Sequence, residues 1–140
     1  MILDFETSVL NKVKTYTLPY PFKISLGVLL SEDNITIASL PGSRTLKGYM
    51  DGVQDKELYY EVAIKVKNKQ LQAIQSLTSI AEQLEREENI TSGNGSFDYQ
   101  GIELTDLPFL EGQDMQGYFV YRMNFKALLT VYNTKEEKAR

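Results

Sequence analysis

The sequence contains no cysteine, no histidine and no tryptophan. Without cysteine the chain has no disulfide framework, no thiolate nucleophile and no cysteine-based zinc site. Without histidine it also lacks the usual general base and the commonest metal ligand. These absences exclude the classes of enzyme and metal site that depend on those side chains.

Basic residues are also scarce, since 15 Lys and Arg face 19 Asp and Glu and the net charge is −4. Non-specific binding to nucleic acid depends on clustered Lys and Arg. The charge balance therefore disfavours a surface that grips phosphates. It is compatible with a neutral to acidic wall that nucleic acid slides past.

Long hydrophobic runs are missing as well. No apolar stretch approaches the roughly 18 residues that a membrane span needs. The first ten residues carry Asp4 and Glu6 and lack the basic region of a signal peptide. We therefore expect a protein that is made in a cytoplasm, remains there and does not contact a membrane.

What the chain does have is a composition typical of a folded protein. Of its 140 residues, 42% are hydrophobic, and nine Tyr and six Phe argue against disorder. This length favours one domain with a substantial core. We expect that domain to span residues 1–132 and to be followed by a polar, flexible tail at 133–140.

The clearest pattern lies between Leu58 and Glu88. Strict alternation of apolar side chains predicts a half-buried strand from Leu58 to Lys67. The period then changes to three and four, which predicts one long helix over residues 69–88, about 30 Å in length, with Asn68 as its N-cap. The predicted apolar stripe of this helix consists of Leu71, Ile74, Leu77, Ile80, Ala81 and Leu84.

Shorter elements are predicted before this unit. Residues 2–16 read as a short helix that Asp4 caps, and the Pro19 and Pro21 segment ends it. Residues 22–30 are predicted to be extended, and a strand begins at Ile35.

Two further strand regions are predicted after the long helix. The first starts at Phe97 and is broken at Gly101, where a bulge is one explanation. The last covers residues 118–132, with a change of register near Ala127. The whole pattern predicts an α+β fold, with a mostly antiparallel sheet packed against one long central helix and a short N-terminal helix.

The second face of the predicted sheet also carries large apolar side chains. Such a face is too apolar to remain wet over its whole area. We expect the N-terminal helix to cover part of it and a neighbouring copy of the protein to cover the remainder.

Two connections, residues 40–56 and 105–117, are too long to be simple links between strands. Connections of this length are more often working surfaces, so we expect both to face partners. The candidate interface residues are Arg44, Tyr49, Met50, Asp51, Phe109, Leu110, Glu111 and Asp114.

No motif indicates catalysis or cofactor binding. Asp51 and Asp55 lie in one predicted loop, but nothing places them in a cleft, and solvated acids are the simpler interpretation. With Glu57 they lack the spacing of a calcium loop. We therefore predict no catalytic residue, no cofactor and no metal.

Two binding functions are alternatives to a structural role. The Tyr-rich strands could stack nucleic-acid bases, yet their aromatic side chains alternate as core residues do. A ferredoxin-like module for nucleic acid or a small ligand requires a βαββαβ order with two helices, whereas one central helix is predicted here. Both remain less favoured alternatives.

Four short segments, DNITIASLPG, MDG, NKQ and NGSF, occur in an order and spacing that resemble the tail terminator proteins of long-tailed bacteriophages. These include proteins of Gram-positive phages described as minor capsid proteins. The resemblance runs from the first helix to the strand ending near Tyr132. None of the segments is a catalytic motif, so the resemblance implies a structural protein and not an enzyme.

The resemblance implies a subunit of a homo-hexameric ring at the head–tail junction of the virion, assembled in the cytoplasm of a bacterial host. Such a ring caps the tail tube, stops its polymerisation and joins it to a head completion or head-closure connector. DNA passes through the bore without sequence-specific binding. The alternative within the same class is another head–tail connector, such as a tail completion or head-closure protein.

Overall fold

The computed structural model describes residues 2–27, 29 and 32–132. Within this part of the chain, two helices and six strands form one α+β arrangement with a mostly antiparallel sheet, as predicted. In chain order they are α1 (Phe5–Lys14), β1 (Lys23–Leu26), β2 (Asn34–Ser39), β3 (Arg44–Gly48), β4 (Gln54–Val66), α2 (Gln70–Glu85), β5 (Phe97–Gln113) and β6 (Phe119–Val131).

The sheet has the strand order β1-β2-β4-β6-β5. Strand β3 pairs with the start of β4, beyond the part of β4 that pairs with β2. Every pair is antiparallel except β1 with β2. The predicted tail at 133–140 lies outside the described residues.

Strands β4 and β6 form the longest uninterrupted pairing of the sheet. They are 13 residues each and pair without a register shift, from Gln54 opposite Val131 to Val66 opposite Phe119. At about 3.4 Å per residue, the ladder extends about 41 Å from its first pair to its last. The predicted register change near Ala127 is therefore wrong. Leu128 and Leu129 are both apolar, but they lie on opposite faces of one regular strand, so the pair does not mark a change of register.

One face of this ladder is the core of the protein. The alternating apolar side chains of β4 are all buried, and so are their partners on β6 except Phe119, which is partly buried opposite Val66. On β4 they are Leu58, Tyr60, Val62, Ile64 and Val66. Tyr60 stacks on Phe125 with ring centroids 5.5 Å apart. From α1, Phe5 packs against Tyr60 and against the edge of Phe97, at 5.5 and 5.3 Å.

Helix α2 is shorter than predicted. It comprises 16 residues, Gln70–Glu85, and is about 24 Å long. Lys69 is its N-cap and makes no side-chain capping bond, so the predicted role of Asn68 is wrong. The acidic residues Glu85, Glu87 and Glu88 lie where the helix ends, and carboxylates are unfavourable near the negative end of a helix dipole.

The buried stripe of α2 is confirmed at its centre and wrong at its start. Leu77, Ile80 and Leu84 are fully buried, whereas Leu71 is 63% exposed. Leu71 lies in the same first turn as the fully buried Ala73 but outside the buried face of the helix. The apolar spacing alone does not separate the buried face from its margin.

Both helices lie on the same face of the sheet. At the end of α1, the Tyr16 hydroxyl donates to Glu87 at 2.7 Å, and Lys12 pairs with the same carboxylate at 3.2 Å. The Ser79 hydroxyl of α2 donates to the carbonyl of Thr17 at 3.1 Å. The expectations of one long central helix, and of an N-terminal helix that covers the second face, are therefore wrong. In the described residues, neither helix combines the length and apolar character that a bilayer crossing requires.

The two predicted long loops are mostly strand. Residues 44–57 form a first hairpin, in which β3 and the start of β4 are joined by a turn at 49–53. Residues 105–124 form a second hairpin, in which the end of β5 and the start of β6 are joined by a turn at 114–118. The predicted break at Gly101 is a register shift inside a continuous strand.

Asp4 ties the beginning of the chain to the turn before β5. It is the N-cap residue of α1 but makes no side-chain capping bond there. Its carboxylate instead accepts hydrogen bonds from the hydroxyls of Ser92 and Ser96, at 2.6 and 2.9 Å. The backbone N–H groups of Gly93 and Asn94 also donate to it, at 2.8 and 3.2 Å. A Cβ on Gly93 would lie 3.2 Å from this carboxylate, which favours glycine at that position.

Replacing Leu77 with Ala is expected to lower the free energy of unfolding by about 2–5 kcal/mol, because it removes buried methyl groups and leaves a cavity. Leu71→Ala is the matched control on the same helix and should change stability by no more than about 0.5 kcal/mol. Urea unfolding of both variants measures the difference. Equal effects at the two positions would contradict the packing of α2.

Replacing Asp4 with Asn is expected to destabilise the protein at neutral pH by about 1.5–3 kcal/mol, since charge-assisted hydrogen bonds are lost. Partial burial raises the pKa of Asp4, but the hydrogen bonds from Ser92, Ser96, Gly93 and Asn94 outweigh it, and the pKa lies below its ordinary value. A lowered pKa in the folded state adds stability above the unfolded-state pKa, and this stability disappears as the pH falls through the folded-state pKa.

The destabilisation caused by Asp4→Asn should therefore shrink as the pH falls from 7 towards about 3, below the ordinary Asp pKa of about 3.9. Glu85→Gln removes an exposed carboxylate and is the control. Urea unfolding across this pH range is the measurement. A difference between Asp4→Asn and the unchanged protein that does not depend on pH would contradict the proposed bonding of the carboxylate.

Candidate assembly surfaces

The turns of the two hairpins lie at opposite ends of the sheet. The first turn, 49–53, leads into Gln54, and the second turn, 114–118, leads into Phe119. In the β4–β6 ladder these two residues are at opposite ends. The turns are therefore on the order of 40 Å apart along the strand direction.

The first hairpin exposes apolar side chains at its tip. Met50 is fully exposed, and Leu46 and Tyr49 are about half exposed. Tyr49 donates to Asp55 at 2.9 Å, and this hydrogen bond raises the pKa of the tyrosine above its ordinary value. Beside the turn lies an open groove of about 520 Å³, which Tyr49, Met50 and Val53 help to line. A partner could contact this tip without displacing the core.

The other two candidates on the first hairpin have structural partners. Asp51 accepts a hydrogen bond from the backbone N–H of Val53 at 3.1 Å and so closes the turn. Arg44 pairs with Glu57 at 3.4 Å. The predicted residues of this segment are thus brought together in one hairpin, with Tyr49 and Met50 most available for contact.

The second hairpin exposes a longer apolar strip. Met115 at its turn is fully exposed, and Leu107, Phe109 and Leu110 along β5 are 70%, 39% and 50% exposed. Leu46 on the first hairpin and Leu107 on the second were not among the predicted interface residues. Each is an apolar residue two positions from a predicted one, which is the only signal in the sequence that could have identified it.

The acidic candidates of the second hairpin hold its shape. Asp114 accepts hydrogen bonds from the backbone N–H groups of Gln116 and Tyr118, both at 2.9 Å. Glu111 forms an ion pair with Arg122 across the β5–β6 ladder. These contacts orient the exposed side chains beside them.

The face of the sheet opposite the helices is charged, not apolar as expected. Arg122 of β6 lies between Glu111 and Glu61, and its guanidinium reaches Glu61 at 2.8 Å. Lys126, four residues further along β6, lies between Glu57 and Glu103 at 3.6 and 3.7 Å. We call these six residues and Arg44 the charged face. The members on β4 and β6 alternate with the buried residues of those strands, a signal that the sequence does contain.

Glu57 is the most buried member of the charged face. Only 5% of the residue is exposed. Tyr59 donates a hydrogen bond to its carboxylate, and Lys126 and Arg44 lie close to it, so its pKa is below the ordinary value although burial opposes this shift. These contacts join β3, β4 and β6 and anchor the first hairpin to the sheet.

Asp51 and Asp55, the two carboxylates that could do acid–base chemistry, have separate hydrogen-bond partners. Asp55 accepts hydrogen bonds from Tyr49 and Thr130, whereas Asp51 closes its own turn. Within the described part of the chain, no group of three or more acidic side chains is arranged to hold a metal ion. What the geometry offers is a set of contact surfaces.

Comparison with known proteins supports this interpretation. No curated protein matches the chain. A family model described as "Bacteriophage tail terminator protein" matches residues 25–131. The matched region contains both hairpins, α2 and the whole β4–β6 ladder. The resemblance found in the sequence is confirmed, and the chain belongs to the bacteriophage tail terminator family, a family of structural proteins of the phage tail.

Proposed function

We propose that this protein forms a hexameric ring that caps the tail tube, stops its polymerisation and joins the tail to the head connector. The observation that carries this proposal is the placement of two exposed hairpin tips at opposite ends of one long ladder, in a chain of the terminator family. A subunit that joins two assemblies needs two separated contact surfaces. The hairpin tips are separated in this way.

The chemistry of the tips supports the same role. Each tip ends in a fully exposed methionine, Met50 on one hairpin and Met115 on the other. Methionine is flexible and polarizable and adapts to irregular apolar surfaces. In the proposed ring the strands run along the ring axis, so that one tip meets the tail tube and the other meets the head connector.

The charged face supports passage of DNA through the bore. Arg122 and Lys126 each lie between two carboxylates, which offsets their attraction for phosphate. Binding to DNA depends on cations that neutralise phosphates. A surface on which these cations are already paired suits a channel that DNA crosses without sequence-specific contact.

We expect Met50→Asp and Met115→Asp to separate the two joining activities. One variant should lose capping of tail tubes and the other should lose binding of the head connector, because each places a charge in only one apolar contact. Both should keep the unfolding midpoint of the unchanged protein. Leu71→Asp, on an exposed site of α2, is the control and should keep both activities.

Mixing each variant with the tail tube subunit and imaging the product by electron microscopy measures capping, and pull-down with the head connector measures joining. Tubes that end in a six-fold ring of the unchanged protein are the expected result. Bare tubes together with binding to the head connector would instead identify a head-side connector. Loss of both activities in both variants would contradict the assignment of separate ends.

A further inference from the structure

We infer that in the proposed ring the β5 edge of one copy, residues 105–111, contacts the β1 edge, residues 23–26, of the next copy. The inference rests on the proposed function, because it assigns the lateral contact of that ring. Its partner is a second copy of this chain.

Strands β1 and β5 are the two edges of the sheet. Within the described residues, neither strand has a backbone partner on its outer side. Exposed strand edges are natural sites for association with another chain. A contact between two different edges is heterologous, and repetition of such a contact by rotation closes into a ring.

The strand register places the two edges at the same height. One row across the sheet runs from Ser25 of β1 through Thr36, Ala63 and Arg122 to Phe109 of β5. Rotation about an axis parallel to the strands keeps every residue at its height. Such a rotation therefore brings the exposed part of β5 level with β1 of the neighbouring copy.

The chemistry of the two edges is complementary. Leu107 and Leu110 are exposed on β5, and Leu26 is 37% exposed on β1. Lys23 is exposed at the start of β1 and lies level with Gly112, next to the exposed carboxylate of Glu111 on β5. The contact would bury leucine against leucine and place Lys23 beside Glu111.

Side chains, not a continuous backbone ladder, make this contact. Pro108 lies in the exposed part of β5 and has no N–H to donate. The register of β5 also shifts between Asp106 and Phe109. These irregularities oppose open-ended pairing of strand edges, which a closed ring must avoid.

The absence of cysteine makes a direct test possible. Leu26 and Leu107 both lie near the level of Met123, so Leu26→Cys combined with Leu107→Cys places two thiols on facing edges of neighbouring copies. A short bis-maleimide is added to this variant bound to tail tubes. We expect a ladder of covalent oligomers up to the size of the ring.

The control pair is Leu26→Cys with Leu71→Cys, which places the second thiol on α2 instead of β5. On capped tubes this pair should give at most dimers. A ladder of equal strength from both pairs, or no ladder from the Leu107 pair on capped tubes, overturns the lateral contact and leaves the proposed function standing. If the unchanged protein neither caps tubes nor self-associates, both the proposed function and the lateral contact are overturned.

Ring formation itself is a second measurement, which applies if the Leu107 pair does not form rings. Loss of ring formation in a variant with an unchanged unfolding midpoint supports the contact, provided that the control pair still forms rings. If both pairs fail to form rings, the defect is assigned to the Leu26→Cys substitution on β1, which both pairs share. The single variant Leu107→Ser then tests the β5 side of the contact. Normal capping by Leu107→Ser overturns the contact, and loss of capping supports it.

Discussion

The continuous pairing of β4 with β6 is the constraint on which the rest of the structure depends. Thirteen residues of each strand pair without a shift, so every second side chain of both strands faces the same way for the whole length. One face is consequently apolar and receives both helices. The other face carries the ion pairs of the charged face. The same ladder fixes the two hairpin turns at opposite ends of the molecule.

Both helices cover the same face of the sheet. The charged face means that the opposite face is not a second apolar surface. Its ion pairs link β4 to β6 and reach out to β3 and β5. Exposed ion pairs contribute little to stability, but Glu57 is nearly buried and its removal would leave Lys126 and Arg44 without a common partner. The face therefore holds the hairpins in position more than it stabilises the core. Exposed apolar side chains are left mainly to the hairpins and the β5 edge.

The sequence predicted the parts of the fold in which local pattern and burial coincide. Alternation identified β4, and the three-four period identified the buried centre of α2. The sequence pattern did not identify strands that depend on pairing with a neighbouring strand. Strand β3 is exposed along its length and has no apolar period, and the end of β5 contains Pro108 and register shifts, so β3 and the end of β5 are predicted as loops. The candidate interface residues fall on the two hairpins, yet Asp51, Glu111 and Asp114 hold the hairpins in shape, which side-chain type alone does not reveal.

In the ring that we propose for this member of the tail terminator family, the axis follows the strands. The most direct measurement is an electron cryomicroscopy map of the head–tail junction in intact phage particles. The expected result is six copies with the first hairpin on one side of the ring and the second hairpin on the other, and with β5 of each copy beside β1 of the next. Hairpins that point the same way along the axis, or strands that lie in the plane of the ring, would contradict this orientation of the subunits.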